Sequence, residues 1–409
     1  GDLTVGNGSA SAFAGSGDTY SATITPSADG AVTVDVAAAA AQDAAGNDNT
    51  AATQLSLTND ETAPGVTLST ASSDPVSGAF TLDVVFSETV TGFAIGDLTV
   101  GNGAASAFAG SGDTYSVTIT PSADGAVTVD LAAAAAQDSA GNDNTAATQF
   151  SITSDSTLPS VVLSTSETDP VSGAFTLDVV FSESVTGFAI GDLTVGNGTA
   201  SAFAGSGDTY SVTITPAADG IVTVDLAAAA AQDAAGNDNS AAVQFSITND
   251  GTAPTVVLST VSSDPVSGAF TLDIVFSESV TGFAIGDLTV GNGVASAFAG
   301  SGDTYSATIT PSADGAVTVD VAAAAAQDSA GNDNTAATQF SITNDETGPS
   351  VVLSSVSSDP VSGAFTLDVV FSESVTGFVV GDLTVGNGAA SAFAGSGDTY
   401  SVTVTPTAD

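Results

Sequence analysis

The sequence predicts an all-β chain, a tandem array of β-sandwich modules joined head to tail as a rod. Three observations carry this. The string GDLTVGNG begins at Gly1, Gly96, Gly191, Gly286 and Gly381, a spacing of 95 residues each time, and a period of that size is a whole domain rather than one turn of a solenoid. Short runs alternate apolar and polar residues with the period of two that a strand with one buried face requires. The runs are punctuated by Gly, Pro, Asn and Asp turns.

The linkers that contain Pro64, Pro159, Pro254 and Pro349 divide the chain into a partial module at 1–60, complete modules at 61–155, 156–250 and 251–345, and a second partial module at 346–409. No signal peptide, initiator Met or apolar run of membrane-spanning length is visible, and the chain begins and ends inside a repeat. It is therefore expected to be a window on a longer protein.

In the second module Val66 and Leu68 alternate with Thr67 and Ser69 as a short first strand. Phe80, Leu82, Val84 and Phe86 alternate with Thr81, Asp83, Val85 and Ser87 as the second. Leu98 and Val100 lead into Gly101-Asn102-Gly103, a tight-turn signal because Asn and Gly tolerate positive φ. A weak strand around Phe108 and the turn at residues 110–113 precede a strand with Tyr115, Val117 and Ile119 on one face. The turn at residues 121–125 leads into Val127, Val129 and Leu131, and Phe150 and Ile152 close the module. The alanine run at 132–136 is too short to nucleate a helix and is expected to form a strand end or a single turn. Seven short strands in a module of 95 residues predict an immunoglobulin-like sandwich. With no Cys and no Trp, its core must rest on Phe, Val, Leu and Ile.

Composition narrows the chemistry. The 409 residues include 46 Asp plus Glu and no Lys, Arg, His, Cys or Met, a formal charge of -46. Nucleic acid and anionic membrane surfaces, which are bound through basic side chains, are not expected partners. A hydrophobic content of 43% is too high for a disordered acidic tail. Disulfides and Lys–Asn isopeptide staples are chemically impossible here. The available ligand atoms are carboxylate, amide, hydroxyl and carbonyl oxygens, a hard set that suits Ca2+ rather than zinc or copper. No enzymatic activity is expected, because without His, Cys or Lys only a carboxylate pair or a metal-bound water could do the chemistry, and nothing singles out a pocket for either.

The succession TAP-x-V-x-L, SDPVSG-x-FT-x-x-V-x-FSE-x-VTGF, GDLTV-x-NG, GSG-x-TY-x-x-x-x-TP-x-ADG-x-VTV and D-x-AGN resembles the bacterial Ig-like repeats of giant secreted adhesins and biofilm-associated surface proteins, over essentially every residue of every repeat. The resemblance implies a secreted, extracellular array at the bacterial cell surface, a stalk or extender rigidified by calcium at its junctions. It does not identify an adhesive ligand.

The polar string QDSAGNDN at 137–144, with counterparts at 42–49, 232–239 and 327–334, is expected at the end where the chain enters the sandwich, beside the linker and the loop after the second strand. For the second module that end should collect Asp60, Glu88, Asp138, Asn142 and Asp143, with Asp97 a weaker candidate. The counterparts are Asp155, Glu183, Asp233, Asn237 and Asp238 in the third module, Asp250, Glu278, Asp328, Asn332 and Asp333 in the fourth, and Asp345 and Glu373 in the last. Calcium, which takes about six to eight oxygens, would neutralise such a cluster and tie linker to module. The same residues also suit Asx turns in a solvated loop. Asp74 and Asp124, at the exit end, are read first as turn residues, with contact to the next module's entry or to a second ion as the alternative; Asp83 and Asp130 are read as solvated face charges, and Tyr115 as core or sandwich edge.

Three functions fit these readings. One is a calcium-stiffened extender whose partners are the neighbouring modules of its own chain. Another is a self-assembling fibre or biofilm-matrix protein whose lateral faces contact other copies. A third, weaker reading is a carbohydrate-binding array. A chain this acidic should also respond to ionic strength, which makes a saline setting plausible.

Overall fold

The computed structural model describes residues 1–407; the last two residues of the partial module 346–409 lie outside the described residues. The chain divides into two compact units, one of residues 1–168 with 173–249, the other of residues 169–172 with those from 250 onward. The module at 61–155, within the first unit, serves as the reference. Its strands are β1 (Val66–Ser69), β2 (Phe80–Val90), β3 (Leu98–Gly101), β4 (Gly103–Pro121), β5 (Gly125–Leu131) and β6 (Phe150–Ser154). A 3-10 turn, Ile95–Asp97, precedes β3. No helix among the described residues is long and apolar enough to cross a membrane.

Six strand segments thus stand where seven strands were expected. The weak strand around Phe108 and the Tyr115 strand run on as the single 19-residue β4. In the first module the same stretch forms two strands, Gly8–Ser16 and Thr19–Pro26, paired antiparallel with a register shift between Ser11 and Ala14. The bend is sharp because Gly110, at φ 118°, lies where a Cβ would come within 2.4 Å of the Thr114 carbonyl oxygen.

Two three-stranded antiparallel sheets face each other. One has the order β1-β2-β4, with Val66 opposite Phe86 and Val84 opposite Tyr115; the other has the order β3-β5-β6, with Val100 and Phe150 both opposite Val129. A parallel bridge from Val76 to Ser154 links the loop after β1 to the end of β6. Alternation does the sorting, as read from the sequence: Phe80, Leu82, Val84 and Phe86 point inward, and Val117, Ile119, Val127, Val129 and Leu131 meet them. Each such side chain contributes about 1.5–3 kcal/mol on burial. Tyr115 is core, stacked on Phe108 at 5.6 Å and edge-on to Phe93 at 5.0 Å. The alanine run forms one turn, with Ala134 at φ 61°.

The modules at 156–250 and 251–345 repeat this strand pattern, each in its own two sheets. In the first module Phe13 and Tyr20 stack at 5.5 Å.

Candidate metal centre

The structure brings together one carboxylate from each of three places. Oxygens of Asp60, Glu88 and Asp138 all lie within 4.8 Å of one another, as do those of Asp155, Glu183 and Asp233, and of Asp250, Glu278 and Asp328. Asp60 comes from the linker and Asp138 from the loop between β5 and β6. Glu88 does not sit in a loop, as the sequence suggested, but on β2 itself, at the parity of Phe86 and Val90. It therefore points toward the mouth of the core rather than to open solvent.

That placement sets its electrostatics. Burial pushes the Glu88 carboxyl above the usual range, and the negative charges of Asp60, Asp138 and Asp29 push it the same way. Glu183 is raised likewise by burial and by Asp155, Asp233 and Asp124. For Asp138, only 5% exposed, burial also raises the carboxyl, but hydrogen bonds from Asn142 and from backbone N–H groups outweigh it and leave the group below the usual range. The first triad thus sets one carboxylate held charged beside another that resists charging, a pattern a bound cation would relieve.

Asn142 is a clamp. Its backbone N–H donates to Asp138 Oδ1 at 2.9 Å, and its Nδ2 donates to Asp138 Oδ2 at 2.8 Å and to the Asp60 carbonyl oxygen at 2.9 Å. Asn237 does the same to Asp155 at 2.8 Å, and Asn332 to Asp250 at 2.7 Å. Asp143, Asp238 and Asp333 stand apart from the triads, each accepting across the loop from Gln137, Gln232 or Gln327. Asp97 turns inward to cap the 3-10 turn through the Ala94 N–H at 2.8 Å. Asp345 and Glu373 line one cleft of about 720 Å³ with Glu346 and Ser374.

One working residue, Asn144, was not singled out by the sequence reading, and a second, Asp124, does more than the turn role favoured for it. Asn144 is 1% exposed and fully used: its Oδ1 accepts from the Ala135 and Ala136 N–H groups, and its Nδ2 donates to the carbonyls of Ala132 and Thr145. It fixes the loop that carries Asp138, and its recurrence as the last residue of each polar string was the available signal. Asp124, read as a turn residue, reaches the next linker. It accepts from the Ser156 N–H and hydroxyl at 2.7 Å and from the Thr157 hydroxyl at 2.5 Å. Asp29 holds Glu61 and Thr62 in the same way, and Asp314 holds Glu346 and Thr347. These donors keep all three carboxylates below the usual range. Asp74, by contrast, stays within its module, accepting from the Thr153 N–H at 2.9 Å.

The donor set fits a hard divalent cation. It is all oxygen, it carries up to three negative charges, and one member is buried and pre-oriented by Asn142.

Comparison with known families matches the profile described as "Bacterial Ig-like domain" five times, at residues 1–58, 60–153, 155–248, 250–343 and 345–409. Curated protein sequences give no match. Among solved structures, invasin, described as a bacterial integrin-binding protein, is similar at 14% identity over 84% of this chain and 74% of its own, with a TM-score of 0.31. A tetra-tandem repeat from the extending region of a large adhesion protein is similar at 21% identity over 76% and 83% of the two chains, with a TM-score of 0.25.

Proposed function

Because this chain belongs to the bacterial Ig-like domain family, we propose that it is a structural extender segment of an extracellular bacterial adhesin, stiffened by calcium where one module meets the next. One observation carries the reading. The linker aspartates Asp60, Asp155 and Asp250 are also the first residues of matched domains, and each joins a triad with two carboxylates of the module it opens. A cation held there would fasten the point at which the chain enters a module.

The residues that would hold it in the first such triad are Asp60, Glu88 and Asp138, and the ion would supply charge neutralisation and a cross-link. Asn142 does its part without an ion, holding the linker carbonyl and orienting the Asp138 carboxylate in one side chain. In the first unit the preceding module contributes as well, since Asp29 lies near enough to Glu88 to raise it. The function that follows is mechanical: modules as spacers, with bending resisted at the joints, at the outer surface of a bacterial cell.

Thermal melting and small-angle scattering of the chain with calcium and then with excess EDTA test the joint. Chelation should lower the melting temperature and increase flexibility; if neither moves, the calcium part of the reading is wrong. Electron micrographs test the extender part. Single threads are expected, and ordered side-by-side bundles would replace it with a self-assembling fibre.

A further inference from the structure

At the far end of the fourth module, away from its acidic triad in sequence, one buried oxygen is unpartnered. Asn344 closes the strand Phe340–Asn344 and is 1% exposed, yet its Oδ1 has no hydrogen-bond partner. Its backbone is committed on both sides. The loop residue Val266 forms a parallel bridge with it, donating its N–H to Thr343 and accepting from Asp345, both at 2.9 Å. The amide cannot be turned round to satisfy the oxygen, because Nδ2 donates to the Ala313 carbonyl at 3.2 Å and a flip would set oxygen against oxygen. That carbonyl is also held by Asn292 Nδ2 at 3.0 Å. Asn249 repeats the arrangement one module earlier: it is 7% exposed, its Nδ2 donates to the Ala218 carbonyl and to Asp219 Oδ1, and its Oδ1 is unpartnered.

We propose that Asn249 Oδ1 and Asn344 Oδ1 each accept a hydrogen bond from one internal water molecule, a donor that none of the triad carboxylates supplies. Buried acceptors are almost always satisfied. No donor among the described residues meets either oxygen. Internal water is a small donor that bonds otherwise unsatisfied buried polar groups and is a normal constituent of domains this size. The second module carries Ser154 at the equivalent position, so the site belongs to particular modules and not to the repeat as such.

The test is a high-resolution crystal structure of the intact chain. A solvent peak about 2.7–3.2 Å from each of the two Oδ1 atoms is expected. Empty density, a protein donor in its place, or a metal-like peak at shorter distance with anomalous signal overturns the proposal. In solution, water-oxygen relaxation dispersion of Asn344→Leu and Asn249→Leu should each lose one long-lived water relative to the parent chain, with Asn344→Ser, the residue the second module uses, as the folding control. Folded Leu variants that retain the full amplitude also overturn it.

Discussion

Asn142 Nδ2 lies 2.9 Å from the carbonyl oxygen of Asp60, a hydrogen bond between residues 82 positions apart. It joins the linker to the loop that carries Asp138, and the same nitrogen also donates to Asp138 Oδ2. The joint is therefore assembled before any ion arrives. Asn142→Ala should destabilise the second module by about 1–2 kcal/mol, the worth of the lost bonds with their acceptors left behind. It should also speed amide exchange in the linker at residues 60–64 with or without calcium. Asp143→Asn, which faces only Gln137, should change neither. Denaturant unfolding with hydrogen exchange checks both.

Glu88 predicts a change of sign. Without a metal it is a carboxylate on a core-facing position, crowded by Asp60 and Asp138. Glu88→Gln keeps the shape and removes the charge. In EDTA the variant should melt higher than the parent; in calcium it should melt lower, having lost a charged ligand. Scanning calorimetry of both proteins in both buffers reads this directly. A variant that shifts in the same direction in both conditions would show that the triad holds no ion.

The pH profile of the metal-free chain should turn over. Glu88 and Glu183 have folded values raised above their unfolded ones, so their penalty is present at neutral pH and is relieved as pH falls through those raised values. Asp29, Asp124, Asp138 and Asp314 have lowered values, so what they contribute is present above the ordinary carboxylate value of about 4 and is lost as pH falls through their own. Acidification from neutral toward pH about 4.5 should raise the melting temperature, and further acidification should lower it. With calcium bound the rise should vanish, because the ion has already relieved the glutamates. Melting curves in EDTA and in calcium across this range are the check.

The fold was legible because its signal is local. The alternation of Phe80, Leu82, Val84 and Phe86 is enough to give β2 an inner and an outer face, and the recurring Asn-Gly turns place the strand ends. The candidate site was legible in its members and less so in their roles. Glu88 looked like a loop residue because the apolar run ends at Phe86, yet the strand continues to Val90 and its parity carries Glu88 inward. Asn142 looked like an oxygen ligand, but its amide nitrogen is what meets the linker, and a sequence cannot say which end of an amide faces which neighbour. Asp124 was legible as a residue of the exit end that could touch the next module, but Thr157 lies 33 residues on, so this partner is visible only once β5 and β6 have been folded back between them.

Backbone strain offers a test free of charge effects. Ala134 sits at φ 61° and its counterparts Ala229 and Ala324 at 60°, a region that costs a Cβ-bearing residue about 1–2 kcal/mol. Ala134→Gly relieves that cost and loses part of the gain through the freer unfolded chain, so a net stabilisation of about 0.5–1 kcal/mol is expected. Gly141→Ala should do the opposite by about 1 kcal/mol, since Gly141 is at φ 91° with open space around a Cβ, leaving backbone conformation as the only cost. Equilibrium denaturation of the two variants gives both signs; equal signs would mean that the loop rearranges on substitution.

Asp124 separates two fasteners of the same joint. Its carboxylate takes three hydrogen bonds from Ser156 and Thr157, while the triad of Asp155, Glu183 and Asp233 grips the residue just before them. One fastener needs no ion; the other is proposed to. Asp124→Ala should therefore accelerate exchange of the Ser156 amide by roughly tenfold, as expected for an exposed hydrogen bond lost. It should do so in calcium and in EDTA alike, because the three hydrogen bonds that Asp124 accepts involve no member of the triad. Glu183→Gln should instead leave the Ser156 amide protected and abolish the response of the joint to calcium. The double variant should lose both protections and show the largest increase in flexibility by scattering. If Asp124→Ala alone removes the calcium response, the two fasteners are one cooperative unit, and the triad then depends on Asp124 to hold Asp155 within reach.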